Sequence, residues 1–252
     1  MTTLPSAIIA VIEAFARSGV RCLLMGGQAC WIHGSGQGSK DVDFAILGDA
    51  GNLEQLRGVL ADLEADNIAV PPLEQKHLDA GLAVHFRCRR ADAAGIRVDV
   101  MSKMRGVAPF DELWDRRAIA RIGADVEVQL LSLRDLIRAK KTQRDKDWPM
   151  ISLLVTGHYL KHGDYPTPVN ISLWLEELRD PELLQEAVFR FLAAGREIAA
   201  RRKPVAVARE ASSSVDDIRR ALRDEEEQER AADRAYWEPL KRQLEELRRQ
   251  RA

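Results

Sequence analysis

Residues 26–44 read GGQACWIHGSGQGSKDVDF, and this stretch decides the fold. The short apolar run Arg21–Met25 precedes it and predicts a buried strand that enters a turn at Gly26-Gly27. Gln28–His33 then predicts the first turns of a helix. Gly34–Lys40 is dense in glycine and serine, a composition typical of a loop. The stretch therefore predicts a strand, a tight turn, a helix and a loop in immediate succession.

A pair of acidic residues follows this loop on a second strand. Asp41–Leu47 alternates acidic and apolar side chains, which places Asp41 and Asp43 on one face, roughly 7 Å apart. Like charges at this range repel each other, so a pair that lines a cleft is costly unless a cation lies between them. Magnesium takes oxygen ligands and is usually shared between one or two carboxylates and substrate phosphates. The pair therefore predicts a Mg²⁺ site.

A third carboxylate stands alone in the downstream strand Ile96–Met101. If this strand lies beside the first acidic strand, Asp99 joins the other two acids. Three carboxylates can hold two metal ions, of which one activates an attacking hydroxyl and the other braces the leaving pyrophosphate. Asp41, Asp43 and Asp99 are therefore the candidate catalytic and metal-binding residues.

The residues around the acids suit a triphosphate. Gly26 and Gly27 end a strand just before a helix, which lets backbone N–H groups approach phosphate oxygens closely. Ser39 and Lys40 immediately precede Asp41 and add a hydroxyl and a cation. Each feature is a weak signal alone, and together they predict a nucleoside triphosphate as the ligand.

The rest of the pattern predicts an α+β protein. Periodicity predicts helices over 4–18 and 51–65, and strands over 83–88, 96–101, 118–122 and 126–131, the last two paired across the turn Gly123–Asp125. From Ser132 the pattern is helical, with helices at 147–161 and near 171–178, 181–202 and 214–250. We therefore expect a nucleotidyltransferase-like domain with a small mixed β-sheet flanked by helices (1–131), a helical region (132–205) and a charged C-terminal helix (206–252).

Composition excludes several other classes. The chain has 252 residues, 46% of them hydrophobic, and a formal net charge of -1, which is typical of a globular protein rather than a disordered one. The three cysteines form no CxxC pair, which favours reduced thiols over a disulfide framework. No run approaches the roughly 20 apolar residues that a membrane helix needs. We expect a cytoplasmic protein with no membrane partner.

The glycine and acidic motifs together resemble the signature of the polymerase-beta-like nucleotidyltransferase superfamily. That signature is Gly26-Gly27, a helix, Asp41-Val42-Asp43 on a strand, and then Val98-Asp99-Val100. The string over residues 26–44 is also similar to the abortive-infection (AbiEii-type) toxin nucleotidyltransferases and their relatives, which carry an alanine and a His-Gly pair in the helix, here Ala29 and His33-Gly34. The resemblance covers residues 20–150 and implies an enzyme that moves a nucleoside monophosphate from an NTP to an acceptor.

A later motif extends the resemblance, and two positions depart from it. LRDLIRAKKTQRDKDW, residues 133–148, is similar to a downstream motif of the same group, and Lys140 within it is the distant cation expected to reach a phosphate. Gln37 stands where relatives often have arginine, which removes a cation from the phosphate approach. Ser39 stands where threonine is usual and keeps the hydroxyl.

The resemblance also implies roles and partners. Asp41 and Asp43 bind both metal ions, and Asp99 binds the catalytic one and assists deprotonation of the acceptor. The triphosphate is steadied by Gly26, Gly27, Ser39, Lys40 and Lys140. RNA, such as a tRNA end, is the implied acceptor, and a cognate antitoxin is the implied protein partner. Two alternatives remain open: a small-molecule acceptor such as a cationic antibiotic, and a non-catalytic nucleotide-binding or interaction module, which Gln37 and the charged tail motivate.

Overall fold

The structure, a computed structural model, describes residues 4–36, 38–122 and 126–251. The chain forms two compact units. The first comprises the residues up to Ala139 together with those from Tyr236 onward, and the second comprises Lys140–Ala235. Gln37 and the predicted turn Gly123–Asp125 lie outside the described residues.

A mixed sheet forms the centre of the first unit. Its strands are β1 (Cys22–Met25), β2 (Asp41–Ile46), β3 (Asp66–Asn67), β4 (Val84–Arg87), β5 (Arg97–Met101), β6 (Ala118–Ile122) and β7 (Val126–Leu130). They lie in the order β3-β4-β5-β2-β1-β7-β6. β2 is parallel to β5 and β1 to β7, and the other neighbouring pairs are antiparallel. The predicted α+β class and the pairing of β6 with β7 are confirmed.

Helices accompany this sheet in the first unit. They are α1 (Ser6–Arg17), α2 (Gly26–Cys30), a π-helical segment (Trp31–Ser35), α3 (Ala50–Asp62), α4 (Gln75–Asp79), α5 (Phe110–Asp115) and α6 (Leu133–Lys140). The helices predicted over 4–18 and 51–65 correspond to α1 and α3. Periodicity did not predict α4 and α5, because helices of one or two turns are too short to show a 3.6-residue repeat.

The core of the first unit lies against one face of the central strands. Val42 and Phe44 of β2 and Val98 and Val100 of β5 are all buried, and their alternation with polar residues gives the strand pattern. Phe15 of α1 stacks on Phe44, with ring centroids 4.1 Å apart. Because one face of β2 is fixed in the core, the acidic residues between these positions must lie on the opposite face.

The second unit is helical. It contains α7 (Asp147–His162), α8 (Pro168–Glu177), α9 (Pro181–Arg190), α10 (Leu192–Ala199), α11 (Lys203–Arg209) and the first part of α12 (Val215–Arg251). The sequence predicts one helix over 181–202, and this is wrong, because Phe191 breaks it with φ -118° and ψ 59°. The Phe191 ring lies 6.1 Å from that of the buried Trp174. No described helix is long and apolar enough to cross a membrane.

A buried asparagine ties α3 to the strands that carry the acids. The Oδ1 atom of Asn52 accepts from the N–H of Arg21 at 2.7 Å. Its Nδ2 donates to the carbonyl of Arg21 at 3.1 Å and to that of Leu47 at 2.7 Å. Asn52 thereby bridges the ends of β1 and β2, where Leu47 N–H also donates to the Arg21 carbonyl at 3.1 Å.

We predict that Asn52→Ala lowers the free energy of unfolding by roughly 2 kcal/mol, because it leaves buried backbone groups without partners. Glu54→Ala on the exposed face of the same helix is the control and should change it by less than about 0.5 kcal/mol. Urea denaturation followed by circular dichroism measures both variants. Equal effects of the two substitutions would contradict this role of Asn52.

Candidate functional site

The strand register brings the predicted acids together on one face of the sheet. Asp43 of β2 lies directly opposite Asp99 of β5, and Asp41 lies opposite Arg97. On the far side of β5, His85 of β4 lies opposite Asp99. A row across neighbouring strands thus reads His85, Asp99, Asp43, and the adjacent row pairs Arg97 with Asp41. These side chains are half-buried, in contrast to the core on the other face.

Gly26 makes room for the Asp43 carboxylate. A Cβ atom at Gly26 would lie 1.9 Å from Oδ2 of Asp43, far inside van der Waals contact, and the backbone there has φ +66°. Only glycine combines this conformation with so close an approach. The carboxylate therefore packs against the turn that joins β1 to α2. The pairing of the glycine motif with the acidic motif in the sequence has this contact as its physical basis.

Asp99 is held by two neighbours in the row. Arg97 binds it through two hydrogen bonds, Nε to Oδ1 at 2.7 Å and Nη2 to Oδ2 at 2.8 Å. Nδ1 of His85 lies 2.8 Å from the same Oδ1 atom. Burial of Asp99 opposes ionisation, but the hydrogen bonds from His85 and Arg97 outweigh it and lower the pKa of Asp99. The carboxylate is therefore ionised at neutral pH.

Arg97 also responds to the other two acids. Its hydrogen bond to Asp99 raises the pKa of the guanidinium, and the charges of Asp41 and Asp43 raise it further, against the opposing effect of desolvation. Arg97 is thus the internal cation among three carboxylates. Within the described ranges, no three acidic, histidine or cysteine side chains converge closely enough to hold a metal ion. Both oxygens of Asp99 accept a hydrogen bond from this guanidinium.

The donor set still suits magnesium. Asp43 and Asp99 are in register on adjacent strands, and both carry carboxylate oxygens. Oxygen is the ligand atom that Mg²⁺ prefers. Oδ2 of Asp43 lies only 1.9 Å from the place that a Cβ at Gly26 would take, so this carboxylate is held against the turn. Asp41, Asp43 and Asp99 are the residues that would hold the ion.

The loop before β2 holds Ser39 by a local hydrogen bond. Its Oγ donates to the Asp41 carbonyl at 2.7 Å, and the contact of this hydroxyl with a phosphate stays a prediction. Gly27 permits this position, since a Cβ there would lie 2.6 Å from Cβ of Ser39. Lys40 is exposed and accessible to an anion.

His33 lies in the helical segment before this loop. Its Nε2 lies 2.9 Å from the Leu131 carbonyl, and burial lowers the pKa of the imidazole.

Lys140 belongs to the second unit, where it forms a buried ion pair. Its Nζ lies 3.0 Å from Oδ1 of Asp147, and only 1% of the Asp147 side chain is exposed. Thr142 and Arg144 donate to the other oxygen of Asp147 at 2.6 and 2.8 Å. The contact of Lys140 with a phosphate stays a prediction, and in this structure the ammonium neutralises Asp147.

Sequence reasoning missed His85 and Gln28. His85 lies in the predicted strand 83–88, but its place beside Asp99 depends on the β4–β5 register, which the sequence does not reveal. Gln28 is fully buried at the start of α2, and its amide reaches the loop before β2. Its position directly after the two glycines could have indicated this role, because a polar side chain buried in a turn needs hydrogen-bond partners nearby.

Comparisons with known proteins return distant structural likenesses. No family model matches the chain, and no curated protein matches its sequence. A crystal structure of a candidate nucleotidyltransferase from Helicobacter pylori is 13% identical, with a TM-score of 0.40, and the alignment covers 91% of this chain and 94% of that one. The crystal structure of JHP933 from Helicobacter pylori is also 13% identical at a TM-score of 0.40, covering 93% and 94%. Likenesses at this level transfer no activity, so the chemistry must come from the chain's own side chains.

We predict that Gly26→Ala displaces the Asp43 carboxylate, whereas Gly19→Ala does not. Both glycines have positive φ, +66° and +75°, so both substitutions strain the backbone by about 1 kcal/mol. No atom lies within 4 Å of a Cβ at Gly19, so its variant measures the strain alone. Carboxyl ¹³C NMR should show a shifted Asp43 signal only in Gly26→Ala. An unchanged signal would contradict the close approach.

We predict that Asp147→Asn weakens the protein at pH 7 and makes its stability less sensitive to acid. Burial opposes ionisation of Asp147, but Lys140 and Thr142 outweigh it and lower its pKa. Its stabilising effect is therefore present above the unfolded-state pKa of about 3.9 and is lost as the pH falls through the lower folded-state value. The substitution leaves Lys140 buried without its counter-charge, at a cost of about 3 kcal/mol. Denaturation between pH 2 and 7 tests this against Asp145→Asn, an exposed neighbour that should change little.

Proposed function

We propose that the chain is a magnesium-dependent nucleotidyltransferase that moves a nucleoside monophosphate from an NTP to an acceptor hydroxyl or phosphate. One observation carries the proposal. Asp43 and Asp99 lie at the same height on adjacent parallel strands, and Asp43 packs against the Gly26 turn. This arrangement offers anionic oxygens to a cation and backbone N–H groups to phosphates at one place on the sheet.

The reaction follows from the charges of these residues. The acceptor oxygen forms a bond to the α-phosphorus, and the bond from that phosphorus to the bridging oxygen breaks. Pyrophosphate leaves with the electron pair, and Asp99 receives the acceptor's proton. Bound magnesium neutralises charge on the triphosphate. Gly26 and Gly27 would let the backbone approach the phosphates, and Asp41 and Asp43 would hold the cation, so catalysis would rest on alignment and charge compensation.

Arg97 has a defined part in this proposal. Its guanidinium donates to both oxygens of Asp99, so a metal ion on that carboxylate would compete with Arg97 for the oxygen lone pairs. Arginine stays charged at all relevant pH values. Once released, it remains beside Asp41 on the same face and offers its donors to the triphosphate. His85 keeps its contact with Oδ1 of Asp99 throughout.

Exposed cations favour a polyanionic acceptor such as RNA. Arg87 lies in register with Arg97 at the exposed end of β4, and Lys40 is exposed next to Asp41. Basic side chains beside the site attract a phosphate backbone. A cationic antibiotic would require an acidic rim, and these two residues give the opposite charge. The resemblance to toxin nucleotidyltransferases in residues 26–44 agrees with RNA and extends the proposal to an antitoxin partner.

A second function is favoured by a specific contact. The two hydrogen bonds from Arg97 satisfy Asp99 without any metal ion. If Arg97 stays bound to Asp99, the chain binds nucleotides through Asp41 and Asp43 but does not catalyse nucleotide transfer. Metal-dependent NTP binding without pyrophosphate release identifies this non-catalytic module.

We predict that the wild-type chain, incubated with Mg²⁺ and each α-³²P-labelled NTP, transfers label to total RNA, and that Asp43→Asn lowers the rate by at least about a hundredfold. Asp115→Asn removes an exposed carboxylate of the same unit and should leave the rate unchanged. Gel electrophoresis of the RNA measures the transfer and names the base. Label on an aminoglycoside instead of RNA would show that the acceptor is a cationic antibiotic. Equal activity of wild type and Asp43→Asn would contradict the proposed site.

A further inference from the structure

Gln28 ties the first turn of α2 to the start of the acidic strand. The residue is fully buried, with 0% of its surface exposed. Its Nε2 donates to the Ser39 carbonyl at 2.6 Å and lies 3.2 Å from the Asp41 carbonyl. The Asp41 carbonyl also accepts from Oγ of Ser39 at 2.7 Å. One amide and one hydroxyl therefore fix the backbone at the two residues where the loop becomes β2.

On its β1 side this backbone lies beyond the end of the neighbouring strand, whereas on the other side Asp41 pairs with Arg97 of β5. β1 ends at Met25, which is in register with Asp43. Asp41 lies two residues further along β2, beyond the end of β1, because the chain turns away at Gly26 into α2. A carbonyl past the end of its neighbouring strand must find another donor. Gln28 supplies that donor from the segment that replaces the strand.

The geometry fixes which way the amide points. Two of the three partners of Nε2 are carbonyl oxygens and the third is Oγ of Ser39 at 3.3 Å, so a flipped amide would set its oxygen against both carbonyls. The Oε1 atom is buried and has no hydrogen-bond partner among the described residues. Such an orphaned acceptor costs about 1–3 kcal/mol. An apolar side chain here would leave the carbonyls of Ser39 and Asp41 without this donor, so the amide imposes a geometry on residues 39–41.

We propose that Gln28 is a positioning residue for the metal-binding carboxylates. It holds the start of β2 at a fixed distance from the Gly26-Gly27 turn, so that Asp41 and Asp43 keep their places relative to the backbone that receives the phosphates. Ser39 completes this clamp, which is defined by Gln28, Ser39 and the Asp41 carbonyl. The inference rests on the proposed function, because it assigns a cation to these acids.

The test replaces the amide with an apolar side chain of similar shape. Gln28→Met keeps the length and removes all three hydrogen bonds that the amide donates. Its matched control is Gln129→Met in β7, whose amide oxygen accepts from Arg117 near the β6 edge of the sheet. Mn²⁺ binding, measured by electron paramagnetic resonance, reports the carboxylates without any need for turnover. Thermal unfolding of each variant reports the folded state separately.

We expect Gln28→Met to weaken Mn²⁺ binding about tenfold and to lower kcat for label transfer more than it raises KM for the NTP, because misplaced carboxylates cost alignment in the transition state. Gln129→Met should bind Mn²⁺ like the wild type. Unchanged Mn²⁺ affinity in Gln28→Met, with a lowered melting temperature alone, would overturn the positioning role and leave a purely structural one.

Ser39 supplies a second, milder test of the clamp. Ser39→Ala removes the hydroxyl and should weaken Mn²⁺ binding in the same direction as Gln28→Met. Ser39→Thr keeps the hydroxyl and should restore the affinity. If alanine and threonine behave alike, the hydrogen bond to the Asp41 carbonyl has no role in placing the acids.

Failure of the inference and failure of the proposed function give different results. Asp43→Asn should abolish Mn²⁺ binding if the acids hold the cation. If wild type and Asp43→Asn bind Mn²⁺ equally, the proposed function fails. If Asp43→Asn loses binding but Gln28→Met retains it, the function stands and only the positioning role is rejected.

Discussion

The parallel register of β2 and β5 sets two negative charges side by side, and the rest of the site depends on compensating them. Neighbouring strands lie about 4.8 Å apart, and two unit charges at that separation repel by about 3 kcal/mol at an effective dielectric constant of 20. Asp43 and Asp99 occupy these places, with Asp41 one step along the strand. In the structure Arg97 provides the compensating charge, and in the proposed reaction a magnesium ion shares that task.

Two close contacts then hold the acidic strand β2 close to the segment that follows β1. Gly26 removes the Cβ that would collide with Asp43, so the carboxylate lies against the turn rather than away from it. Gln28 fixes the carbonyl of Asp41 from the other side of that turn. Each contact connects β2 with the segment that follows β1. Together they fix the relative positions of residues that are up to 17 positions apart in the chain. Rigidity of this kind is what charge-stabilising sites require.

The sequence predicts that the two acids of β2 share one face, but it does not predict the neighbours of Asp99. Alternation in β2 places Asp41 and Asp43 on one face, and burial of Val42 confirms it. Local pattern also predicts α1 and α3, because their apolar spacing extends over several turns. The neighbours of Asp99 are a different matter. His85 reaches it through the β4–β5 register, a long-range pairing that no local pattern encodes. The orientation of the Gln28 amide likewise depends on a loop that only the folded chain brings near.

The most direct test is a crystal structure of the chain with Mn²⁺ and a non-hydrolysable NTP analogue. We predict an anomalous manganese signal between Asp43 and Asp99. The phosphates should lie against Gly26-Gly27, and the Arg97 guanidinium should have moved from Asp99 toward the triphosphate. A nucleotide bound elsewhere, or an Arg97–Asp99 pair that stays intact with no manganese beside Asp43, would contradict it.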